Sequence, residues 1–256
     1  YDCVIGVSGG VDSSYVAHLA TVEFGLRPLA LHVDNGWNSN LAVSNIHRVL
    51  DKLKIDLVTE VLDWQEFKSL QLAFLRSSTP DLEIPTDHAI SAALMRVARN
   101  HRIKFILGGS NVASEGIMPA AWSQGIRDYR YISSVNKQFG TRSLDTFPHF
   151  TYYQFAYYKL RGQRWIDILN YVPYEKSRAM DILVNEYGWE PYSTKHGESI
   201  YTRFFQNYYL TTKFGADKRR GHLSSLICSG QLDRASALVI LDNPIAPEEE
   251  ISADID

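Results

Sequence analysis

The sequence is poor in cysteine. Only Cys3 and Cys228 occur among 256 residues, and two thiols provide neither a disulfide framework nor a four-thiolate metal site. Each lies in an apolar stretch, where a buried free thiol is the ordinary expectation. We therefore assign neither cysteine a role, and no zinc site is predicted in this chain.

Long apolar runs and an excess of basic residues are also lacking. No run reaches the roughly 20 apolar residues that cross a bilayer, and the chain opens directly into a strand pattern, which leaves no room for a signal peptide. The formal net charge is −3, and residues 247–256 carry several acidic residues and no base. A nucleic-acid-binding surface would be more basic. The sequence therefore predicts a soluble, cytoplasmic protein without a membrane or nucleic-acid partner.

Strand-like runs and amphipathic helices alternate through the first half of the chain. Strands are predicted over residues 2–7, 28–33, 57–61 and 105–107, and helices over residues 11–25, 39–54, 64–77 and 89–102. Short connections between such elements are typical of the α/β class, with a parallel, doubly wound sheet and helices on both faces. Ligand sites in that fold lie at the carboxyl ends of the strands.

The second half of the chain differs in composition. Ten tyrosine and phenylalanine residues occur between residues 129 and 158, and most are expected in the core. Helices are predicted over residues 156–171 and 174–187. We predict a nucleotide-binding domain at residues 1–120. Residues 121–256 are expected to form a mostly helical, aromatic-rich region that completes the substrate site and ends in an acidic tail.

The loop at residues 8–14, Ser-Gly-Gly-Val-Asp-Ser-Ser, lies between the first strand and the first helix. A glycine pair after a strand lets backbone N–H groups approach a ligand, and the helix N-terminus adds unpaired donors and a positive dipole end. The pattern predicts an anion site, although it matches neither the Walker A loop nor the dinucleotide fingerprint. The alternative is a glycine turn with Asp12 as helix cap.

These seven residues resemble the pyrophosphate loop, S-G-G-x-D-S, of the ATP pyrophosphatases, a family that includes GMP synthetase, asparagine synthetase and tRNA-thiolating enzymes. The resemblance implies that ATP binds here with Mg²⁺, which Asp12 would help to hold, and that Asp12 and Ser13 are catalytic. The implied ATP-binding residues are Gly6, Val7, Ser8, Gly9, Gly10, Asp12, Ser13, Ser14, Val33, Asp34, Gly109 and Ser110.

Three other loops carry candidates of the same site. Asp34 ends the second strand, although Asp-Asn-Gly is also a good turn sequence. Asp87 and His88 begin a helix whose loop returns to the same sheet edge. A second glycine pair after the fourth strand is followed by further polar candidates, for which a glycine-rich turn is the alternative. These candidates are Ser110, Asn111 and Glu115, the last as a metal or substrate carboxylate.

The segments 195–199 and 213–225 are the most polar of the second half. A Lys-Arg-Arg run is usually a solvated helix face, but guanidinium groups also suit phosphate or carboxylate, and in a nearly neutral chain we interpret the run as an anion site. The predicted substrate-binding residues are Asp87, Asn111, Glu115, His196, Lys213, Lys218, Arg219 and Arg220. The candidate proton-handling residues are His88, His196, Glu198 and His222, and the sequence does not choose among them.

Taken together, the chain resembles the N-acetyl-sugar amidotransferases of bacterial O-antigen and flagellar glycan synthesis. The blocks that carry this resemblance are SGGVDSS, HVDNGW, IPTDHAI, GGSNVASEG, KHGES with FFQNY, and KFGADKRRGHLSSLICSGQL. It implies a carbon–nitrogen ligase that splits ATP into AMP and pyrophosphate and converts an acetamido group of a nucleotide-linked or acidic sugar into an acetamidino group. It also implies ammonia from a glutaminase that works with a cyclase-like subunit, and it is compatible with a homo-oligomer.

One departure from these relatives concerns the start of the chain. They usually begin with a cysteine-rich, zinc-binding segment, which is missing here, and the first residue is not methionine. Either the natural N-terminus lies upstream or this segment is absent, and no metal site of the relatives is carried over.

Two other functions remain open at this stage. A tRNA-modifying enzyme of the same superfamily is disfavoured because paired cysteines and a basic surface are missing. An ATP-binding module without chemistry is disfavoured because Asp12 and two neighbouring hydroxyls suit turnover.

Overall fold

The protein is described by a computed structural model that covers residues 1–122, 125–192 and 197–255. Within these residues, five parallel strands form one sheet in the order β3-β2-β1-β4-β5. The strands are β1 (Cys3–Gly6), β2 (Pro28–Asp34), β3 (Asp56–Val61), β4 (Phe105–Gly108) and β5 (Arg164–Asp167). The predicted α/β class and parallel sheet are confirmed.

Helices connect and extend this sheet. The α-helices are α1 (Val11–His18), α2 (Asn40–Leu53), α3 (Trp64–Ser77), α4 (Ile84–Asn100), α5 (Val112–Glu115), α6 (Tyr129–Phe139), α7 (Tyr152–Leu160), α8 (Lys176–Ile182), α9 (Ile200–Phe204), α10 (Leu210–Phe214), α11 (Lys218–Cys228), α12 (Arg234–Asp242) and α13 (Glu248–Ile255). Short π-helical segments continue α1 (Leu19–Glu23) and α8 (Leu183–Tyr187) and join α9 to α10 (Phe205–Tyr209). Short 3₁₀ turns occur at Ala120–Trp122 and Ile168–Asn170. No helix within the described residues combines the length and apolarity that a membrane span requires.

The two faces of the sheet bury alternate residues of β1, as a strand with period two requires. Cys3 and Ile5 pack in one core with α1, α2 and α8. Val4 packs in a second core with α4 on the opposite face. Helices therefore cover both faces, which confirms the doubly wound arrangement and leaves the carboxyl ends of the strands for a site.

Local capping explains several element boundaries. Ser39 accepts a hydrogen bond from the Ala42 backbone at the start of α2, and Asp63 accepts one from Glu66 at the start of α3. Helix α4 begins at Ile84, earlier than the predicted residue 89, because Pro85 occupies its first turn, where a missing N–H costs nothing.

The predicted helix over residues 156–171 is wrong. Helix α7 ends at Leu160, Gly162 adopts a positive φ of 85° that an α-helix cannot accommodate, and β5 follows. Strand β5 pairs in parallel with β4, with Phe105 opposite Arg164. Residues beyond 120 therefore complete the sheet, whereas the domain boundary near residue 120 stays a prediction.

Candidate active site

The turn between β1 and α1 requires glycine at one position. Gly9 has a φ of +83°, and a Cβ at this position would lie 2.6 Å from the backbone oxygen of Ala42. A side chain would therefore be both conformationally strained and blocked by α2. Gly10, in an extended conformation, is the N-cap of α1, and no side chain caps that helix. Asp12 lies in the first turn, so the alternative in which it caps the helix is wrong.

Two aromatic residues from the second half hold this turn in place. The Trp189 indole N–H and the Tyr192 hydroxyl both donate to the backbone oxygen of Gly9, at 2.8 and 2.9 Å. Because the C=O and N–H of a planar trans peptide point in opposite directions, these bonds aim the Gly10 N–H away from the two rings. It meets Ser8 Oγ at 3.3 Å. The orientation of the loop amide is thus fixed from outside the loop.

The serine hydroxyls of the loop contact one another. Ser13 Oγ accepts from the Ser8 backbone N–H at 3.2 Å and donates to the Gly10 oxygen at 3.2 Å. Ser8 Oγ lies 3.1 Å from Ser13 Oγ. Two hydroxyls, the Gly10 N–H and the uncapped start of α1 therefore converge, and such a set of donors suits an anion.

These donors line a cavity of about 440 Å³, which we call the loop cavity. Three structural regions contribute to it: the turn after β1, the turn after β4, and the second half of the chain. The lining residues are Ser8, Gly10, Val11, Asp12, Ser13, Gly109, Ser110, Glu115, Lys176, Met180, Trp189, Tyr192 and Glu198. The structure thus brings six predicted residues of the two glycine loops together with Glu115 and Glu198.

Three carboxylates face this cavity. Asp12 accepts a hydrogen bond from the Tyr174 hydroxyl, and burial followed by the charge of Asp12 raises the pKa of Tyr174 far above its ordinary value. The phenol therefore remains a donor and orients the Asp12 carboxylate. A Cβ built at Gly10 would lie 3.5 Å from Glu198 Oε1, which places that carboxylate against the loop. Glu115 enters from α5.

The oxygen donors of the loop cavity suit Mg²⁺. Mg²⁺ binds oxygen ligands and usually takes one or two protein carboxylates together with substrate phosphates. Asp12, Glu115 and Glu198 could provide such carboxylates next to the anion-binding loop. Within the described ranges, no three His, Cys, Asp or Glu side chains form a ready-made metal cluster. Phosphate oxygens and water are the ligands that usually complete such a coordination shell.

The second glycine pair allows two close approaches. A Cβ at Gly109 would lie 3.2 Å from the backbone carbon of Asp12, so the turn after β4 packs directly against the start of α1. A Cβ at Gly108 would lie 2.3 Å from Asp167 Oδ1 and 2.6 Å from Trp165 Nε1. This pair therefore has a packing function as well as a place in the cavity.

His88 is not a proton-handling residue of this cavity. It is fully buried, its Nδ1 lies 2.6 Å from the Ile126 oxygen, and its Nε2 lies 3.2 Å from the Phe150 N–H. Nδ1 therefore carries the proton and Nε2 accepts. Burial lowers the pKa of His88, which keeps the ring neutral. The predicted catalytic role is corrected to a structural one.

Several further predicted residues have local structural partners. Asp34 Oδ1 accepts from the Gly36 N–H and from Asn38 Nδ2, as the turn alternative implies. Asn111 caps α5 through Ser114. Neither side chain lines the loop cavity. The other predicted ATP-binding residues that do not line it are Gly6, Val7, Gly9, Ser14 and Val33.

The basic segment does not assemble an anion site. The guanidinium of Arg219 donates to Asp217 and to the backbone oxygens of Ile240 and Asn243. Lys213 Nζ donates to Ser78 Oγ and lies over the Tyr209 ring. The Arg219 bonds join the start of α11 to the end of α12, and the Lys213 bond joins α10 to the end of α3.

The remaining basic and histidine candidates are distributed differently. Lys218 Nζ lies 5.0 Å from the centre of the Phe205 ring, and Arg220 is exposed. Neither residue lines the loop cavity. His196 lies outside the described residues.

A stripe of small residues on α11 packs closely against α5 and the residues that follow it. A Cβ at Gly221 would lie 2.5 Å from the Ile117 oxygen. Ser225 Oγ accepts from the Ile117 N–H at 2.9 Å, and Ser229 Oγ donates to the Ala113 oxygen at 2.9 Å. His222 Nδ1 lies 3.3 Å from the Ser114 oxygen. The spacing of four residues places these groups on one helix face, and the contact positions Glu115.

Residues 198–256, which include this stripe and Glu198, match one protein family. The family is described as LPS biosynthesis protein WbpG-like, C-terminal domain. The match confirms, over these residues, the predicted resemblance to proteins of bacterial surface-polysaccharide synthesis. No curated protein sequence matches the chain. We call residues 198–256 the WbpG-like segment.

Solved structures resemble the chain only distantly. An NH3-dependent NAD synthetase from Campylobacter jejuni is 15% identical, with a TM-score of 0.41, over 99% of this chain and 86% of the other. The U34-tRNA thiolase NcsA from Methanococcus maripaludis is 14% identical, with a TM-score of 0.41, over 90% and 72%. An NMN synthetase from Francisella tularensis is 17% identical, with a TM-score of 0.36, over 76% and 89%. Similarity at this level says nothing about activity.

Asp87 belongs to a group of carboxyls at the start of α4, of which Asp81 is buried and Glu83 and Asp87 are half-buried, and the group faces the WbpG-like segment. Burial, followed by the charge of Asp87, raises the pKa of Glu83, while burial and Asp81 raise that of Asp87. Lys218 opposes both shifts. Glu83 also accepts a hydrogen bond from Thr202 Oγ1 at 2.8 Å. These groups connect α4 to α9 and α11.

The sequence analysis did not single out Tyr174, Lys176, Trp189 and Tyr192, which contact or line the loop cavity. Its core expectation concerned the aromatic residues between positions 129 and 158. A signal was available for two of them, since Trp189 and Tyr192 directly precede the polar segment that begins at residue 195.

Proposed function

We propose that the protein is an ATP-dependent carbon–nitrogen ligase. It adenylates an acetamido group of a nucleotide-linked or acidic bacterial sugar and replaces the amide oxygen with ammonia, which gives an acetamidino group, AMP and pyrophosphate. The observation that carries the proposal is the loop cavity, in which the donors of residues 8–13 meet the carboxylates of Asp12, Glu115 and Glu198. The WbpG-like segment supports a place in lipopolysaccharide or O-antigen biosynthesis.

The chemistry explains why ATP is needed. An amide carbon is a poor electrophile, and its oxygen is a poor leaving group. The amide oxygen attacks the α-phosphorus of ATP, and the bond from that phosphorus to pyrophosphate breaks. Ammonia then forms a C–N bond at the activated carbon, AMP departs with the former amide oxygen, and a proton is lost from nitrogen.

The loop would stabilise the departing pyrophosphate. Its donors are the Gly10 N–H, the Ser8 and Ser13 hydroxyls and the N-terminus of α1. Preorganised donors at developing charge are each worth about 2.7–4 kcal/mol in enzymes. Trp189 and Tyr192 supply that preorganisation, because they fix the Gly9 peptide before any ligand arrives.

The three carboxylates of the loop cavity would have different roles, metal binding and proton transfer. Mg²⁺, when bound, neutralises charge on the triphosphate, and Asp12, oriented by Tyr174, would hold it. Glu198 and Glu115 are the candidates for taking the proton from the ammonia nitrogen, since both face the cavity. Lys176 would attract a phosphate or a substrate carboxylate.

Ammonia must reach this site unprotonated. A glutaminase with a cyclase-like subunit, acting in the cytoplasm, would deliver it without release into water, and a homo-oligomer of this chain is compatible with the scheme. These partners are part of the proposal.

The decisive experiment measures AMP and pyrophosphate release with ATP, ammonium chloride and a nucleotide-linked diacetamido-uronic acid. We expect stoichiometric AMP and an acetamidino product by mass spectrometry. Release only with tRNA would favour a tRNA-modifying enzyme, and ATP binding without release would favour a regulatory module.

The Asp12→Asn variant tests the assignment within this assay. We expect AMP formation to fall by at least about 10²-fold while the circular dichroism spectrum is unchanged, because the metal-orienting charge is lost and the hydrogen bond from Tyr174 remains possible. Asp181→Asn, on the neighbouring helix α8 but outside the cavity lining, is the control. Retained activity in Asp12→Asn would exclude the metal role.

A further inference from the structure

A larger cavity, of about 1060 Å³, lies beside the loop cavity. It is formed by α4, β4, β5, α7 and the turns that precede α6 and α7. Ser110 lines both cavities, so the larger one, which we call the side cavity, adjoins the loop cavity at this residue. Its volume is at the upper end of the range for pockets that enclose one organic ligand.

Aromatic rings form much of its wall. Phe150 and Phe155 lie with ring centres 5.9 Å apart. Trp165 is 44% exposed and Tyr171 is 79% exposed, and both line the side cavity. Exposed rings in a concave site are available for stacking against a base or a sugar ring, which a purely structural core would not leave uncovered.

Cations accompany these rings. The Arg127 guanidinium lies 5.0 Å from the centre of the Phe155 ring, and Lys159 Nζ lies 5.1 Å from the same centre. Arg164 also lines the cavity. In the parts of the chain that the structure describes, none of the three forms an ion pair with a carboxylate. Arg127 and Lys159 share one ring, and an anion bound between them would offset their mutual repulsion.

The only carboxylate among the described lining residues is already engaged. Asp167 Oδ1 accepts from Trp165 Nε1 at 3.2 Å, and both groups lie against Gly108, where no side chain intervenes. The Asp167 interaction therefore orients the Trp165 ring and leaves the three cations for a ligand.

His88 explains how the wall is held. It donates to the Ile126 oxygen and accepts from the Phe150 N–H, and Ile126, Arg127 and Phe150 all line the side cavity. Its ring also stacks on Phe150, with centres 4.4 Å apart. His88 thus connects the segment that carries Arg127 to the segment that carries Phe150.

We propose that the side cavity binds the acidic substrate, with Arg127, Lys159 and Arg164 holding its anionic group and the aromatic rings holding its sugar or base. This inference rests on the proposed function for the identity of the ligand, an acetamido sugar that carries either a diphosphate or a carboxylate. Its acetamido group would extend past Ser110 to ATP in the loop cavity. The substrate anion is thereby assigned to residues other than the basic segment 213–220.

The test measures binding by isothermal titration calorimetry without ATP. The probes are UDP-N-acetylglucosamine, which carries a diphosphate, N-acetylneuraminic acid, which carries a carboxylate, and neutral N-acetylglucosamine. We expect at least one anionic probe to bind more tightly than the neutral sugar by about tenfold or more. The better anionic probe identifies which group the cations accept.

Matched variants locate the site. Arg127→Gln and Lys159→Gln should each weaken the better probe by about tenfold. Arg161→Gln is the control, because Arg161 lies over the Tyr157 ring on the same segment but does not line the cavity, and it should change binding by less than about twofold. Unchanged thermal melting of each variant shows that folding is intact.

Two results would overturn the inference: neither anionic probe binds better than the neutral sugar, or the Arg127 and Lys159 variants weaken ATP binding and leave sugar binding unchanged. Failure of the proposed function has a different signature. In that case the anionic sugar binds through Lys159, but no AMP is released under any condition.

Discussion

The two cavities are built by different means. The loop cavity depends on backbone geometry within a few consecutive residues, where Gly9, Gly10 and the start of α1 determine where donors point. The side cavity depends on side chains from α4, β5, α7 and two turns, joined by His88. Short-range geometry leaves a motif in the sequence, whereas a site gathered by tertiary packing does not. The comparison predicts that the two sites can be damaged separately.

Among the variants, Gly9→Ala is expected to show the largest difference between the effects on the loop cavity and on the side cavity. The new Cβ would lie 2.6 Å from the Ala42 oxygen, and residue 9 has a φ of +83°. The loop must therefore shift, and several of its hydrogen-bond donors would no longer point into the loop cavity. We expect AMP release to fall by about 10³-fold or more, while calorimetry still detects UDP-N-acetylglucosamine with nearly normal affinity.

Gly25→Ala is the matched control for that prediction. Gly25 has a φ of +62° but no atom within 4 Å of the added Cβ. It should therefore cost some stability and no activity. Equal losses in the two variants would mean that backbone strain, and not the loop geometry, causes the effect.

His88→Ala is expected to have a smaller effect, and to damage the side cavity while leaving the loop cavity intact. The substitution leaves the Ile126 oxygen and the Phe150 N–H without their buried partner and opens a void. We expect about 3 kcal/mol lower free energy of unfolding in urea titrations and weaker sugar binding, with ATP affinity preserved in the folded fraction.

The conservative variant His88→Asn sharpens this prediction, because its amide can still donate and accept. Partial recovery of stability is the expected outcome. If His88→Ala removed AMP formation without any change in unfolding or sugar binding, His88 would regain the catalytic role first predicted for it.

The smallest effect concerns pH. Burial raises the pKa of both Glu83 and Asp87 in the folded protein, so the folded state holds these protons more tightly than the unfolded chain. Stability is then greatest below the ordinary carboxyl pKa and declines as the pH rises through the raised values. We expect the free energy of unfolding to fall by at least about 1 kcal/mol between about pH 6 and pH 8.5.

Glu83→Gln should flatten this dependence, and the exposed Glu248→Gln should not. The groups around Glu83 are Asp81, Asp87, Lys218 and Thr202. Urea midpoints measured across the pH range provide the check, and a wild-type profile that rises with pH would contradict it.

The outcome of the sequence predictions follows the same division. The sequence grouped Ser8, Gly10, Asp12 and Ser13, which line the loop cavity, because residues close in sequence form one turn. Strand β5 was missed because four residues are too few for a clear period, and only pairing with β4 makes them a strand. Charge alone misled the assignment of Arg219, since nothing in its neighbours indicates that it would satisfy carbonyls more than 20 residues away.

The grip of α11 on α5 has a wider consequence. The backbone around Ile117 and Ala113 packs closely against Gly221, Ser225 and Ser229. We therefore expect substitutions in this part of α11 to be tolerated only with matching changes in the turn after β4. A bulkier residue on either side would move the Glu115 carboxylate away from the loop cavity without changing any other residue that lines it. Exchange of the segment that contains α11 between related proteins should therefore preserve the site only when the segment that contains α5 is exchanged with it.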